Sequence, residues 1–157
     1  MTDPKIDTVL ENNLTGWIKD HRERYLASDG ADGHMWDSGL KGGPGLISTL
    51  ILTTTGRKSG EPRVLPLIYG ETDAGNYVII ASRGGDTKHP SWYLNLLANP
   101  EVKVQIAADK FTARARIASG EERVALWAQQ EKTFPGYAEY QRLAGDREIP
   151  VVVLERI

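Results

Sequence analysis

Residues 46–69 read LISTLILTTTGRKSGEPRVLPLIY. Two runs rich in β-branched and apolar residues, Leu46 to Thr55 and Arg63 to Tyr69, flank a turn from Gly56 to Pro62. Such residues suit a pleated, half-buried surface, and Gly and Pro between them mark a chain reversal, so the stretch predicts two antiparallel strands. Asn76 to Ser82 repeats the pattern as a third strand. Further on, Val102, Val104 and Ile106 alternate with Lys103 and Gln105, and Phe111, Ala113, Ala115 and Ile117 alternate with Thr112, Arg114 and Arg116. Alternation on both sides of Ala108-Asp109-Lys110 predicts a half-buried hairpin. Pro150 to Glu155 reads as the last strand.

The helical signals lie around these strands. Leu14, Trp17, Ile18, His21, Tyr25 and Leu26 recur at helical spacing opposite Lys19, Asp20, Arg22 and Glu23, which predicts an amphipathic N-terminal helix packed through Trp17 and Ile18. Ser28 to Gly45 is Gly-rich and reads as a long loop, a candidate lid. Pro90 suits the first position of a short helix that carries Trp92, Tyr93, Leu96 and Leu97 and stops at Asn99-Pro100. Gly120 to Phe134 is helical, with Glu121 and Glu122 in its first turn; Pro135 breaks it before a second short helix bearing Tyr137 and Tyr140. Six strands with too few helices for parallel crossovers predict an α+β protein, a compact antiparallel barrel with peripheral helices. Residues 1–45 supply the helix and loop, residues 46–157 the barrel, within a single domain.

Composition narrows the chemistry. The chain has 157 residues, 40% apolar and 25% charged, with a net charge of -2. No global positive field draws it to nucleic acid, so an anion site must be a local cluster. The absence of cysteine removes thiol redox chemistry, iron–sulfur clusters and cysteine-ligated zinc. His21, His34 and His89 lie in separate segments, and no metal site is expected. The N-terminus, with Asp3 and Asp7, is unlike a secretory signal, and no apolar run nears the ~20 residues that span a bilayer. A cytoplasmic protein is expected.

Two segments hold the local charge. Gly56-Arg57-Lys58-Ser59-Gly60 sets two cations and a hydroxyl between glycines, a composition that suits phosphate or carboxylate and equally suits a solvated hairpin turn. It matches neither a P-loop nor a dinucleotide fingerprint. Ala81 to Pro90, ASRGGDTKHP, ends a strand with polar, flexible residues before a helix: either a second grip on the same ligand or a plain connecting loop. Trp92-Tyr93-Leu94-Asn95 could border a flat heterocycle, although Trp92 alone reads as core.

The segments Leu52 to Val64 (LTTTGRKSGEPRV), Ala81 to Gly85, Pro90 to Leu96 with Asn99-Pro100, and Ile149 to Val153, in this order, resemble the deazaflavin-dependent nitroreductase family over roughly Leu46 to Ile157. The resemblance implies a split β-barrel and bound coenzyme F420, used in its reduced form F420H2. It implies that Arg57, Lys58 and Ser59 hold the phosphate or tail. Arg63, Val64, Leu65, Pro66, Leu67 and Ile68 would line the cofactor, and Ile80, Ala81, Ser82, Arg83, Ser91, Trp92, Tyr93, Leu94 and Asn95 would contact the deazaflavin and its side chain. Tyr137, with Tyr140, would face the acceptor, a quinone, activated enone or nitro compound.

Ile68 and Phe134 stand where nitroimidazole-activating members carry tyrosines, Ser91 replaces a methionine and Arg83 a lysine, which touches acceptor choice more than cofactor binding. The N-terminal helix can border the acceptor pocket or touch a membrane surface in this family. A deazaflavin is a hydride carrier, so the protein's task is to align donor and acceptor. Tyr137 is the candidate to polarise the acceptor oxygen, against a plain packing role with solvent as the proton source. The competing readings are an FMN-dependent oxidoreductase on the same barrel and a non-catalytic carrier of deazaflavin or a lipid-like ligand.

Overall fold

The computed structural model describes residues 16–157, apart from the side chains of Leu40 and Lys41. Leu14 and the polar leader Met1 to Asp7 lie outside the described residues. Helix α1 (Gly16–Ala27) is followed by strands β1 (Met35–Asp37), β2 (Leu46–Thr55), β3 (Pro62–Ile68), β4 (Gly70–Glu71) and β5 (Tyr77–Ile80). Helix α2 (Ser91–Ala98) precedes the hairpin β6 (Glu101–Ile106) and β7 (Asp109–Ile117). Helices α3 (Gly120–Thr133) and α4 (Gly136–Ala144) then lead to β8 (Val151–Arg156).

All strand pairs are antiparallel, in the order β1-β2-β6-β7-β8-β5-β4, with β3 on the other side of β2. One chain segment closes the curl. Pro62–Ile68 pairs with β2, and after Tyr69 its continuation Gly70–Glu71 pairs with β5, so the two ends of the sheet are joined through a single bent strand. The result is the expected α+β split-barrel architecture, curled around one interior.

The runs Tyr77-Val78-Ile79-Ile80 and Val151-Val152-Val153-Leu154 are apolar at every position because β5 and β8 are covered on both faces. Ile79, Val152 and Leu154 join Leu50, Leu52, Trp92, Leu96, Val102 and Val104 in one cluster inside the barrel. Val78, Ile80, Val151 and Val153 join Leu126, Phe134, Tyr137 and Ile149 in a second cluster beneath α3 and α4. With alternate side chains pointing to opposite faces, one pair of strands divides the molecule into two apolar compartments.

Several local expectations are corrected. The long loop contains β1, which hydrogen-bonds to β2 with Trp36 opposite Ile47. The hairpin turns at Ala107-Ala108 rather than 108–110, since Ile106 pairs with Asp109. Pro90 precedes α2 as its cap residue. Helix α1 is anchored through His21 and Tyr25, while Trp17 remains 46% exposed and stacks on Trp36 at 5.9 Å between centroids. The anchor is polar: the Tyr25 hydroxyl donates to Thr49 O (2.9 Å) and accepts from Ala107 N–H (2.9 Å), and His21 Nε2 contacts Gly33 O at 2.7 Å. Among the described residues no helix is long and apolar enough to cross a membrane.

Burial pushes the Tyr25 phenol up to about 12, despite the opposing Ala107 hydrogen bond. Tyr25→Phe is expected to lower stability by about 1–3 kcal/mol, because the Ala107 N–H and part of the Thr49 carbonyl lose their buried partner. Urea unfolding should show a lower midpoint with the same slope. The phenol titrates higher folded than unfolded, so its contribution is complete below its ordinary value of 10.0 and lost as pH rises towards about 12. Across that window the wild type should approach the variant.

Candidate cofactor and anion site

The β2–β3 turn closes on itself through Gly56 N–H to Glu61 O and Gly60 N–H to Gly56 O, both 2.8 Å. Gly56 is buried, and a Cβ there would meet Ser59 Oγ at 2.8 Å and Glu61 O at 3.0 Å. Only glycine lets the turn fold this tightly. Ser59 Oγ accepts from Glu61 N–H (3.1 Å) and from the Arg63 guanidinium (3.3 Å), leaving the hydroxyl hydrogen to donate.

Helix α2 meets this turn through one side chain. Asn95 is 3% exposed; its Oδ1 accepts from both the backbone N–H (3.1 Å) and the guanidinium (2.8 Å) of Arg57, while its Nδ2 donates to the buried Thr54 hydroxyl (3.2 Å). The Arg57 guanidinium also reaches Ser91 O at 3.4 Å. A neutral amide thus orients the cation without cancelling its charge.

Between turn, strand and helix lies a cavity of about 200 Å³ lined by Gly56, Arg57, Lys58, Ser59, Arg63, Val64, Leu65, Ser91, Trp92 and Asn95. Arg24, Lys110, Arg116, Arg123, Arg142 and Arg156 are ion-paired. Among the described residues Arg57, Lys58 and Arg63 meet no carboxylate. Three cations without counterions, together with a free hydroxyl hydrogen, form a donor set that fits a phosphate or carboxylate group.

Apart from Gly56, every lining residue is one that the sequence reading selects. The other expected residues are placed differently. Pro66, Leu67 and Ile68 continue along β3, half-buried, and Ile68 packs on the second cluster. Ile80 and Ala81 point their side chains into the two clusters, and Tyr93 and Leu94 pack with the first. Ser82 and Arg83 sit on the half-buried turn before α2. Tyr137 and Tyr140 are away from the cavity lining, in an aromatic group with Phe134. Tyr137 is 4% exposed, and burial, with Tyr140 beside it, raises its phenol well above the usual value; burial also raises Tyr140. Thr54 and Arg147 escape a reading by sequence, because both act through partners distant in the chain, Asn95 for Thr54 and residues 81–89 for Arg147.

The fold is that of a split-barrel protein, with one cavity lined by three cations. The F420H(2)-dependent quinone reductase family model matches residues 17–156. An F420H(2)-dependent quinone reductase of Mycobacterium tuberculosis is 37% identical over 139 residues, 87% of each chain. A solved F420-H2 dependent reductase is 46% identical with a TM-score of 0.62, covering 68% of this chain and 93% of its own. A second structure, described as a domain-swapped dimer, is 40% identical with a TM-score of 0.65, covering 88% and 97%. The chain belongs to the F420H(2)-dependent quinone reductase family and is an F420-dependent oxidoreductase. The matched family is described by a quinone acceptor, where the sequence resemblance carries a nitroreductase label.

Asn95→Asp should keep the fold and both contacts to Arg57 while turning the amide into a counterion. F420 binding, followed by titration, is expected to weaken roughly tenfold, since a cation already paired attracts a second anion less. Affinity at the wild-type level would show that the Arg57 charge contributes little.

Proposed function

We propose that the cavity at the β2–β3 turn anchors the anionic phosphate and oligoglutamate portion of F420, and that the acceptor is a quinone bound near the Phe134–Tyr137–Tyr140 group. The uncompensated trio Arg57, Lys58 and Arg63 carries this reading, because a chain of net charge -2 keeps three cations at one cavity without a carboxylate among the described residues. Strand β3 supports the rest. Arg63, Val64 and Leu65 line the cavity and Ile68 packs against the cluster that contains Phe134 and Tyr137, so the strand runs from the anchor towards that cluster, a span of about 17 Å at strand rise.

When bound, reduced F420 supplies a hydride from its ring carbon. The chain's own part is alignment. Arg57, Lys58 and Ser59 bind the tail, and remote binding of this kind principally sets affinity. Val64 and Leu65 present an apolar wall along β3, and Trp92 closes the cavity from α2. Tyr137, with no hydrogen-bond partner among the described residues, holds its proton because burial raises its phenol. In this reading it donates a hydrogen bond to the quinone oxygen; the one proton that, with the hydride, completes the hydroquinone would come from solvent, or from this phenol with solvent then reprotonating it. Enones and nitro compounds, whose oxygens develop the same charge, are candidate acceptors of the same site.

Titration with F420 and with FMN, followed by mixing the reduced complex with a quinone, tests the whole reading. Tight F420 binding and rapid oxidation support it, preference for FMN overturns it, and binding without oxidation by any acceptor identifies a carrier. Arg57→Ala with Lys58→Ala should weaken F420 binding roughly 10- to 1000-fold, from charge-assisted hydrogen bonds of about 1.5–3 kcal/mol each. The salt dependence of binding should flatten in the double variant. An unchanged affinity and salt slope would move the anchor elsewhere. Tyr137→Phe should lower turnover roughly 10- to 100-fold with little change in F420 affinity, about 1.5–3 kcal/mol in the transition state. Single-turnover oxidation at the wild-type rate would remove Tyr137 from the reaction.

A further inference from the structure

The segment between β5 and α2 has an unusual backbone. Arg83, Gly84 and Gly85 have φ of 48°, 61° and 84°, three successive residues in the left-handed region, where a side chain such as that of Arg83 is disfavoured. Gly85 sits against helix α4, where a Cβ would meet Tyr140 O at 2.8 Å. Left to itself, a polar Gly-Gly turn samples many conformations, so something must hold this one.

Arg147, in the connection from α4 to β8, reaches into the turn. Its Nε donates to Asp86 O (2.9 Å), Nη1 to Ala81 O (3.0 Å) and to His89 Nδ1 (3.2 Å), and Nη2 to Ser82 O (2.6 Å). One planar guanidinium therefore ties together the start, the middle and the end of the segment. The His89 contact needs an unprotonated Nδ1, which places the ring proton on Nε2. Consistently, burial and the neighbouring Arg147 both lower the His89 titration, and burial lowers that of Arg147. His89 in turn packs its ring 4.7 Å from Tyr93 and is followed by Pro90, the cap of α2. The clamp thus reaches the helix whose first residues, Ser91 and Trp92, line the cavity.

We propose that Arg147 is a positioning residue for the deazaflavin ring: by fixing the 81–89 turn from behind, it sets Ser82, Arg83 and the first turn of α2 against the cofactor, independently of the tail anchor at Arg57 and Lys58. The proposal rests on the reading of the cavity as the F420 site. It concerns a residue that touches no ligand, and its role is geometric. Five donors in a rigid plane reach four acceptors at once; a lysine, with the same charge, offers three donors from a single point and cannot span them.

The test compares F420 with the corresponding ribityl deazaflavin that lacks phosphate and glutamates. Arg147→Lys is expected to weaken both by a common factor, roughly tenfold, leaving the ratio of the two affinities unchanged. Arg57→Ala with Lys58→Ala should instead weaken F420 alone and collapse that ratio. A general loss of fold would show in the melting temperature, whereas a positioning role shows in equal weakening of the two ligands by a protein that melts near the wild type. Tail-less deazaflavin bound by folded Arg147→Lys within twofold of wild type overturns the proposal. Amide exchange in the wild type provides the check that needs no variant: the tail-less molecule should slow exchange across residues 82–86, and unchanged exchange there also overturns it. If the wild type binds neither molecule, the cofactor reading fails, and this proposal with it.

Discussion

Strands β5 and β8 are apolar on both faces, and their pairing, Val78 with Val153, Ile79 with Val152 and Ile80 with Val151, is the partition on which the molecule is built. A strand covered on both sides cannot slip by one residue without exchanging its two sets of side chains, so the register is strongly specified. On one side the barrel interior forms, with α2 inserted as its plug through Trp92, Tyr93 and Leu96. On the other, α3 and α4 bring Leu126, Phe134 and Tyr137 down onto the sheet. Each fully buried Leu, Ile or Val there contributes on the order of 1.5–3 kcal/mol relative to exposure.

The cavity and the aromatic group occupy different parts of the fold. The cavity with its cations sits where the β2–β3 turn meets α2, whereas the aromatic group lies under the α3–α4 bend, and β3 is the continuous element between them. In the proposed function, a tail anchor and a reacting region carried by one strand are held at a fixed separation. For hydride transfer, which depends on close alignment of donor and acceptor, a fixed strand is better suited than a mobile loop.

Neutral groups orient the charged ones at this site. Asn95 directs Arg57 without neutralising it, and Arg147 is met by backbone carbonyls and a neutral imidazole. Elsewhere several surface arginines are paired with carboxylates, as Arg116 is with Glu122 and Glu155. Keeping carboxylates away from one cavity preserves a positive potential there on a chain of net negative charge.

The sequence by itself determined the elements whose signals are local. The alternating runs of β6 and β7, the double-sided runs of β5 and β8, the Gly-bounded basic turn and the Pro-flanked helices all follow from periods and turn residues within a dozen positions. Nine of the ten cavity-lining residues could be named because they lie in the basic turn, the strand after it and the Pro90 to Leu96 segment, the contiguous stretches through which the family resemblance assigns cofactor contacts. Tertiary structure alone decided the rest. β1 and β4, three and two residues long, are too short to carry a period and exist only because an established strand pairs with them. The shift of the hairpin turn to Ala107 accompanies the Tyr25 hydroxyl, 82 residues away in the chain, which binds its N–H. In the same way Asn95 acquires its role from Arg57, 38 residues distant, and Arg147 from Ala81, 66 residues distant. A side chain's intrinsic chemistry is written at its own position, but which acceptor it reaches depends on how the strands between the two close the barrel.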